Sequence, residues 1–315
     1  MMKQGVRWLG CLLLFCGVAL VGTTTAWAQT AKTPDFSAHP EIEDLAGELE
    51  ELWMESPEAF VRLDATRSTI IEEHVQSGYR PMNVARYLEG LGEHALLPML
   101  WALVADDPRD WQMDLRTWRI WRIGLLEAVG RLRDERSIDV LKSSIESEPF
   151  PSVRKAATSA LGRLDDEASI KDVIAFAQSS PEKRSAIVAG LGDARRHVAL
   201  EYLVEVLAST DDVEEQRVAV RALGDWGNQW AWSTSSRQPY QVEGQKGRQM
   251  IVDQLVDRYP TAAQPVRAEI KKSLQLAGAE KSKQRAQQLA AESSDEEIRA
   301  LLQKLVAAMA DSPMD

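Results

Sequence analysis

Apolar residues between positions 151 and 210 recur at helical spacing in short runs that polar residues separate. One pattern occurs there twice: an alanine-rich amphipathic run closes on Leu-Gly, a charged turn follows, and a second aliphatic run begins. Apolar positions three and four residues apart are typical of a helix with one buried face. The pattern therefore predicts two helical hairpins in series.

A glycine that follows Leu or Val marks the same point of each predicted unit. The marks are Gly92, Gly130, Gly162, Gly192 and Gly224, about 30 to 32 residues apart where nothing is inserted. Such self-similarity indicates a solenoid, in which each unit buries its apolar face against its neighbours. We predict an all-α fold, a right-handed α-solenoid of stacked antiparallel helix pairs over residues 81–310.

The repeat resembles the short HEAT-like repeat that is also found in phycobilisome lyases. The resemblance rests on the string VRKAA at 153–157 with Leu-Gly at 161–162, and it covers about residues 81–309. An arginine two places into the first helix recurs in the units, with Gln216 as the exception. These arginines are Arg122, Arg154, Arg184, Arg267 and Arg299. The resemblance implies that each hydrogen-bonds a neighbouring repeat, so we expect a structural role and not ligand binding.

The segments that flank the repeats have different patterns. Residues 38–80 predict an N-terminal helical cap, because 41–55 carries one apolar stripe and Ser56-Pro57 is typical of a helix start. An open stack needs atypical end units to cover its exposed core. The polar run 29–37 predicts a disordered leader, and 311–315 a frayed tail.

A Trp-rich insertion at 225–247 interrupts the period. It contains Trp226, Trp230, Trp232 and Tyr240 among turn-forming glycines and a proline. Long insertions in solenoids often carry function, and aromatic loops bind sugars and proline-rich peptides by stacking. These four residues are candidate binding residues. The alternative, in which the tryptophans pack on neighbouring helices, stays open.

In the family that the repeat resembles, the second helix of each hairpin lines the concave surface. On that basis Asp139, Lys171, Glu201 and Glu205 are further candidate binding residues. An ordinary solvated helix face is the alternative.

Trp118 and Trp121 alternate with Arg116 and Arg119, as residues do on surfaces that bind nucleic acid or glycan. At 100° per residue, however, both tryptophans fall within one apolar sector of the helix. We therefore predict that they are core residues.

The first 28 residues have the pattern of a secretory signal peptide. Lys3 and Arg7 precede an apolar run, and small residues lead to an A-x-A site ending at Ala28. The run is shorter than the roughly 20 residues that a spanning helix needs, which disfavours a membrane anchor. Both cysteines, Cys11 and Cys16, lie in this segment, so the processed chain would hold no disulfide. We expect a periplasmic protein, with full secretion as the alternative.

Charge and motifs narrow the class of function. A formal net charge of −11 argues against nucleic acid and favours basic proteins or cations as electrostatic partners. The four histidines lack metal-ligand spacing, and phosphate-binding glycine motifs are missing. We expect no metal, no cofactor and no enzyme, but an exported scaffold for protein–protein interaction in the bacterial cell envelope. The alternative is a module that binds cell-wall glycan or peptide through the insertion.

Overall fold

The computed structural model describes residues 34–109, 112–234 and 240–310. These residues form α-helices and short 3-10 turns, and no strand occurs among them. The predicted signal peptide, positions 29–33 of the leader and the predicted tail lie outside the described residues. No helix in the described ranges combines the length and the apolar character that crossing a bilayer requires.

The α-helices follow one another with short connections. They are α1 (Ala46–Glu55), α2 (Glu58–Gln76), α3 (Val84–Glu89), α4 (Leu96–Ala105), α5 (Leu115–Leu132), α6 (Ile138–Ser147), α7 (Pro151–Leu164), α8 (Glu167–Ser179), α9 (Pro181–Leu191), α10 (His197–Ser209), α11 (Val213–Gly227), α12 (Gln229–Trp232), α13 (Gln241–Arg258), α14 (Gln264–Glu292) and α15 (Glu296–Ala310). The predicted all-α, HEAT-like solenoid is confirmed.

Each helix packs mainly on the sequence neighbour that the prediction does not assign to it as a partner. Helix α6 packs mainly on α7, α8 on α9 and α10 on α11, whereas the predicted partners α5 and α6 scarcely touch. Arg154 of α7 donates from Nε to the carbonyl oxygen of Ile145 in α6 at 2.8 Å, which ties the two helices of one pair together. Each pair is therefore an aliphatic helix followed by a glycine-marked helix.

Helices α3, α5, α7, α9, α11 and α14 stack into one layer, and we call them the glycine-marked helices because each except α14 contains or precedes a glycine of the repeat pattern. A Cβ at Gly130 would lie 2.6 Å from Cα of Ala160, and a Cβ at Gly224 would lie 2.8 Å from Cα of Ser273. No side chain fits at such separations, so only glycine lets the helix backbones approach this closely. The recurring glycine is therefore a packing residue in α5 and α11, whereas at Gly92, with φ 76°, an added Cβ would meet no atom within 4 Å.

Three of the marked glycines do not end their helices, although the pattern predicts a turn directly after them, whereas Gly92 and Gly192 lie after the ends of α3 and α9 as predicted. Gly130 and Gly162 lie inside α5 and α7, which continue to Leu132 and Leu164. The left-handed residues that end these helices are Arg133, with φ 55°, and Asp165, with φ 64°.

The aliphatic helices α4, α6, α8 and α10 form the other layer, in which neighbours approach each other much less closely. We call the glycine-marked layer the inner layer and the aliphatic layer the outer layer, as names for the two layers only. The expectation that α6, α8 and α10 line a concave surface stays a prediction.

The N-terminal cap covers one end of the stack with α1, α2 and a 3-10 turn at Pro40–Leu45. Phe36 is fully buried, and its ring centroid lies 4.8 Å from that of Trp101 and 6.1 Å from that of Phe60. The predicted disordered leader is therefore wrong from residue 34 onward, because Phe36 joins an aromatic core. Helix α2 follows Ser56-Pro57 as predicted.

The opposite end contains α13, α14 and α15. Helix α13 begins at Gln241, earlier than the sequence predicts. Helix α14 is one helical run that is kinked at Gly278, with φ 144°. That backbone conformation is open only to glycine, so the run bends at this residue.

Candidate interaction surface

A groove of about 440 Å³ opens on the inner layer between α3 and α5. Helix α5 lines it with Ile120, Ile123 and Glu127, and the segment before α3 lines it with Tyr79 and Met82. All five side chains are exposed or half-buried. We call this surface the inner groove.

Two local features hold the walls of the inner groove in place. The Asn83 side chain accepts a hydrogen bond from the backbone N–H of Arg86 at 3.3 Å and so caps the start of α3. A Cβ at Gly124 would lie 2.2 Å from Cγ1 of Val84, so the glycine lets α3 lie directly on α5. The irregular segment before Asn83, in which Tyr79 has φ 63°, then forms the second wall.

Charged residues flank the apolar centre of the inner groove along α5. Arg116 lies one turn before Ile120, and its guanidinium carbon is 5.3 Å from the Tyr79 ring centroid. Leu115 beside it is 60% exposed. Glu127 follows Ile123 by one turn. An apolar centre with a polar rim is the usual composition of a protein-binding surface.

Sequence reasoning missed Ile120 and Ile123, although a signal was present. Trp118 and Trp121 are buried in the predicted apolar sector of α5, which confirms their assignment to the core. The two isoleucines fall outside that sector by the same angular count. Large apolar residues outside the apolar sector of a helix indicate a second contact surface, and these two isoleucines were that signal.

The four charged candidates for a concave surface lie on the outer layer, and all are exposed. Lys171 pairs with Glu167 one turn earlier at 2.7 Å, and Glu201 lies 3.6 Å from Nε2 of His197. Asp139 and Glu205 lie on α6 and α10. These positions do not converge on a common cavity among those that the structure describes, and their role in binding stays a prediction.

Two tryptophans of the predicted insertion are core residues. Trp226 and Trp232 are fully buried, with ring centroids 4.9 Å apart. Trp232 Nε1 donates to the carbonyl oxygen of Trp226 at 2.7 Å. A Cβ at Gly247 would lie 2.2 Å from Cη2 of Trp226, so α13 packs directly on the indole. For Trp226 and Trp232 the prediction of a binding residue is therefore wrong, and the alternative, packing against neighbouring helices, is confirmed.

The other two aromatic candidates face solvent. Trp230 on α12 is 62% exposed, and Tyr240 is 39% exposed with the Arg196 guanidinium 5.6 Å from its ring. Among the described residues of the insertion, these two aromatic side chains offer a surface on which a ligand stacks. Residues 235–239 of the insertion lie outside the described residues.

The recurring arginine position mainly holds the end of the preceding helix. Arg154, Gln216 and Arg299 each donate to the backbone carbonyl six residues earlier, at 2.9 Å for Gln216 and 2.8 Å for Arg299. Each acceptor caps the carboxyl end of the preceding helix. Gln216 therefore serves the same purpose as the arginines.

Two further members of the series bind carboxylates of other helices. Arg122 is buried and pairs with Glu148, and Arg184 pairs with Glu215 at 2.6 Å. These bonds join neighbouring repeats, as the resemblance implies. Arg267 makes no side-chain hydrogen bond within the described ranges.

A buried charge network joins the cap to the first helix pair. Arg67 of α2 is 2% exposed and lies 3.0 Å from Oδ2 of Asp106, which follows α4. Trp121 Nε1 donates to the same oxygen at 3.2 Å. Burial raises the pKa of Asp106 to about 6, against the opposing effects of Arg67 and Trp121.

Comparison with known proteins agrees with this architecture. No curated protein is significantly similar to the chain in sequence. The family model of HEAT repeats matches residues 119–192. This range runs from within α5 to the residue after α9. The chain is therefore similar to HEAT repeat proteins over these residues, and its fold is an all-α solenoid of HEAT-like helix pairs.

Proposed function

We propose that the protein is an exported scaffold of the bacterial cell envelope that binds a protein partner through the inner groove. The observation that carries this proposal is the half-buried apolar pair Ile120 and Ile123, which lines the inner groove on α5. Apolar grooves with a charged rim are typical of interaction sites. HEAT-like stacks present long surfaces of this kind and commonly serve as interaction scaffolds.

Support for export comes from the sequence. The signal-peptide pattern ends at Ala28, and both cysteines precede that point. Intact-mass measurement of the envelope fraction tests it, and we expect a chain that starts at Gln29. Retention of residues 1–28 would remove the basis for an envelope location.

The second part of the proposal, that a protein partner binds the inner groove, is tested by photocrosslinking from single positions. A benzophenone amino acid replaces Ile123 in the inner groove, Lys171 on the outer layer, or Trp230 on α12. After irradiation in envelope extract, we expect one discrete protein adduct from position 123 and none from position 171. The same adduct from both positions would contradict binding through the inner groove.

A second candidate function is binding of cell-wall glycan or peptide near Trp230. The exposed indole borders an open cavity of about 260 Å³ lined by Gln229, Ser233, Gln241 and Arg248. An exposed aromatic face beside amides and a guanidinium suits a sugar or a peptide backbone. Peptidoglycan fragments crosslinked from position 230, without a protein adduct from position 123, would favour this function over the first.

A further inference from the structure

A polar cavity of about 290 Å³ lies between α4 and α6 and above α5. It belongs to the outer layer, so it is separate from the inner groove. Three carboxylates line it, from Glu41 in the 3-10 turn of the cap, Asp106 after α4 and Glu148 after α6. We call it the acidic cavity.

The carboxylates of Asp106 and Glu148 each use one oxygen and leave the other without a donor among the described residues. Asp106 receives Arg67 and Trp121 at Oδ2. Glu148 is 5% exposed and receives both bonds from Arg122 at Oε1. Within the described ranges no protein donor reaches Oδ1 of Asp106 or Oε2 of Glu148.

The other polar groups of the acidic cavity also have atoms without a hydrogen-bond partner among the described residues. Glu41 accepts the Ser143 hydroxyl at Oε1, at 2.8 Å, and Oε2 has no donor among the described residues. Ser144 lines the cavity and is only 4% exposed, yet its hydroxyl has no hydrogen-bond partner in the same part of the chain. The acidic cavity therefore presents a set of unused acceptors.

The chemistry of the lining selects the ligand. Arg122 is the cation that lines the cavity, and Glu148 and the carbonyl oxygen of Leu103 already occupy it, which disfavours an anion. No group of three metal-ligating side chains that could hold a metal ion occurs in the described ranges. Val104 and Val140 supply an apolar wall. Unused carboxylate oxygens beside an apolar wall fit a cationic head on an aliphatic stem.

We propose that the acidic cavity binds the basic side chain of a protein partner, a lysine ammonium or an arginine guanidinium. The head donates to the unused oxygens of Glu41, Asp106 and Glu148, and the stem packs on the apolar wall. These bonds are charge-assisted, and the net charge of −11 favours the approach of a basic partner. The site does not depend on the inner groove.

The test attaches small probes at the rim of the acidic cavity. Ser147→Cys places a thiol at the exposed last residue of α6, in a full chain whose Cys11 and Cys16 are replaced by serine. The protein is equilibrated with disulfide reagents that deliver 2-aminoethanethiol, 2-guanidinoethanethiol or neutral 2-hydroxyethanethiol. Intact mass then gives the fraction of each adduct, at about 0.15 M salt so that distant charges are screened.

Ser179→Cys is the matched control. Ser179 is the exposed last residue of α8, and its hydroxyl donates to a backbone carbonyl of its own helix, as that of Ser147 does. Far-UV circular dichroism checks that each variant keeps its helices. Glu41→Gln, added to Ser147→Cys, removes one acceptor charge and keeps the acceptor for Ser143.

We expect position 147 to favour the cationic probes over the neutral one by about tenfold more than position 179 does, since a hydrogen bond to a charged group is worth that factor or more. Glu41→Gln should lower this preference toward the control value. Equal preference at 147 and 179 would overturn the proposal. A preference for the hydroxyl probe at 147 would also overturn it and would indicate a neutral, sugar-like ligand.

Discussion

Replacing Gly130 by alanine should destabilise the stack, although alanine favours a helix over glycine. The glycine lies inside α5, where the substitution alone would stabilise the helix by roughly 0.5 to 1 kcal/mol. The opposing effect is steric. The new methyl would lie 2.6 Å from Cα and 2.7 Å from Cβ of Ala160, which belongs to the neighbouring helix α7.

The magnitude follows from these distances. Ordinary contact between a methyl carbon and a neighbouring carbon requires about 3.5 to 4.0 Å, so α5 and α7 must separate by roughly 1 Å. The contact atoms are backbone and Cβ, which cannot rotate away. Overpacking of this kind typically costs about 1 to 3 kcal/mol. The net effect of Gly130→Ala should therefore be a loss of about 0 to 2.5 kcal/mol in the free energy of unfolding, against a small gain for an unhindered glycine.

Gly47→Ala is the matched control for this prediction. Gly47 lies in the first turn of α1, and a Cβ there meets nothing within 4 Å. Urea unfolding followed by circular dichroism at 222 nm gives both free energies, provided that the transition slopes agree. Gly47→Ala should be neutral or slightly stabilising. If Gly130→Ala proved as stable as Gly47→Ala, the glycine-marked layer would not be packed backbone to backbone.

Three further predictions use the same measurements. Trp232→Ala should lower the free energy of unfolding by about 3 to 5 kcal/mol, because it empties a buried site. Trp230→Ala should change it by less than about 0.5 kcal/mol. Equal losses would contradict the placement of the two indoles. Arg154→Ala leaves two buried carbonyl groups unsatisfied and should lower the free energy of unfolding by about 1 to 3 kcal/mol. Arg116→Ala at the surface should lower it by less than about 1 kcal/mol, and denaturant midpoints compare the two variants. The Asp106 carboxyl should titrate near pH 6 by carbon-13 NMR. Since this pKa is raised from 3.8, its contribution to stability is present below about pH 4 and is lost as the pH rises through 6. A midpoint near 4 would show that the carboxyl is not desolvated.

The periodic part of the fold was readable from the sequence because helices bury one face at a fixed angular period. That period placed Trp118 and Trp121 in the core, and the Ser56-Pro57 signal placed the start of α2. The pairing of helices was not readable in the same way. A chain of alternating helices has one period whichever neighbour each helix joins, and the choice depends on distances such as that between Gly130 and Ala160.

The acidic cavity could not be predicted from the sequence, because it depends on how the helices pack. Asp106 and Glu148 come to one cavity only because α4 and α6 stack over α5. In an acidic chain neither residue differs from many other carboxylates. Trp226 and Trp230 are equally aromatic in the sequence, and only the fit of Gly247 against the Trp226 indole separates the buried residue from the exposed one.

The central claim, that a protein partner binds the inner groove, is tested most directly by affinity with the purified partner that position 123 crosslinks. Isothermal titration calorimetry compares the unaltered protein with Ile123→Asp in the inner groove and Lys171→Glu on the outer layer. A charge placed at the apolar centre of an interface should weaken binding by at least about tenfold, as hot-spot residues do when altered. Lys171→Glu should leave the dissociation constant unchanged. Unaltered affinity for Ile123→Asp, or an equal loss for Lys171→Glu, would contradict the proposed role of the inner groove.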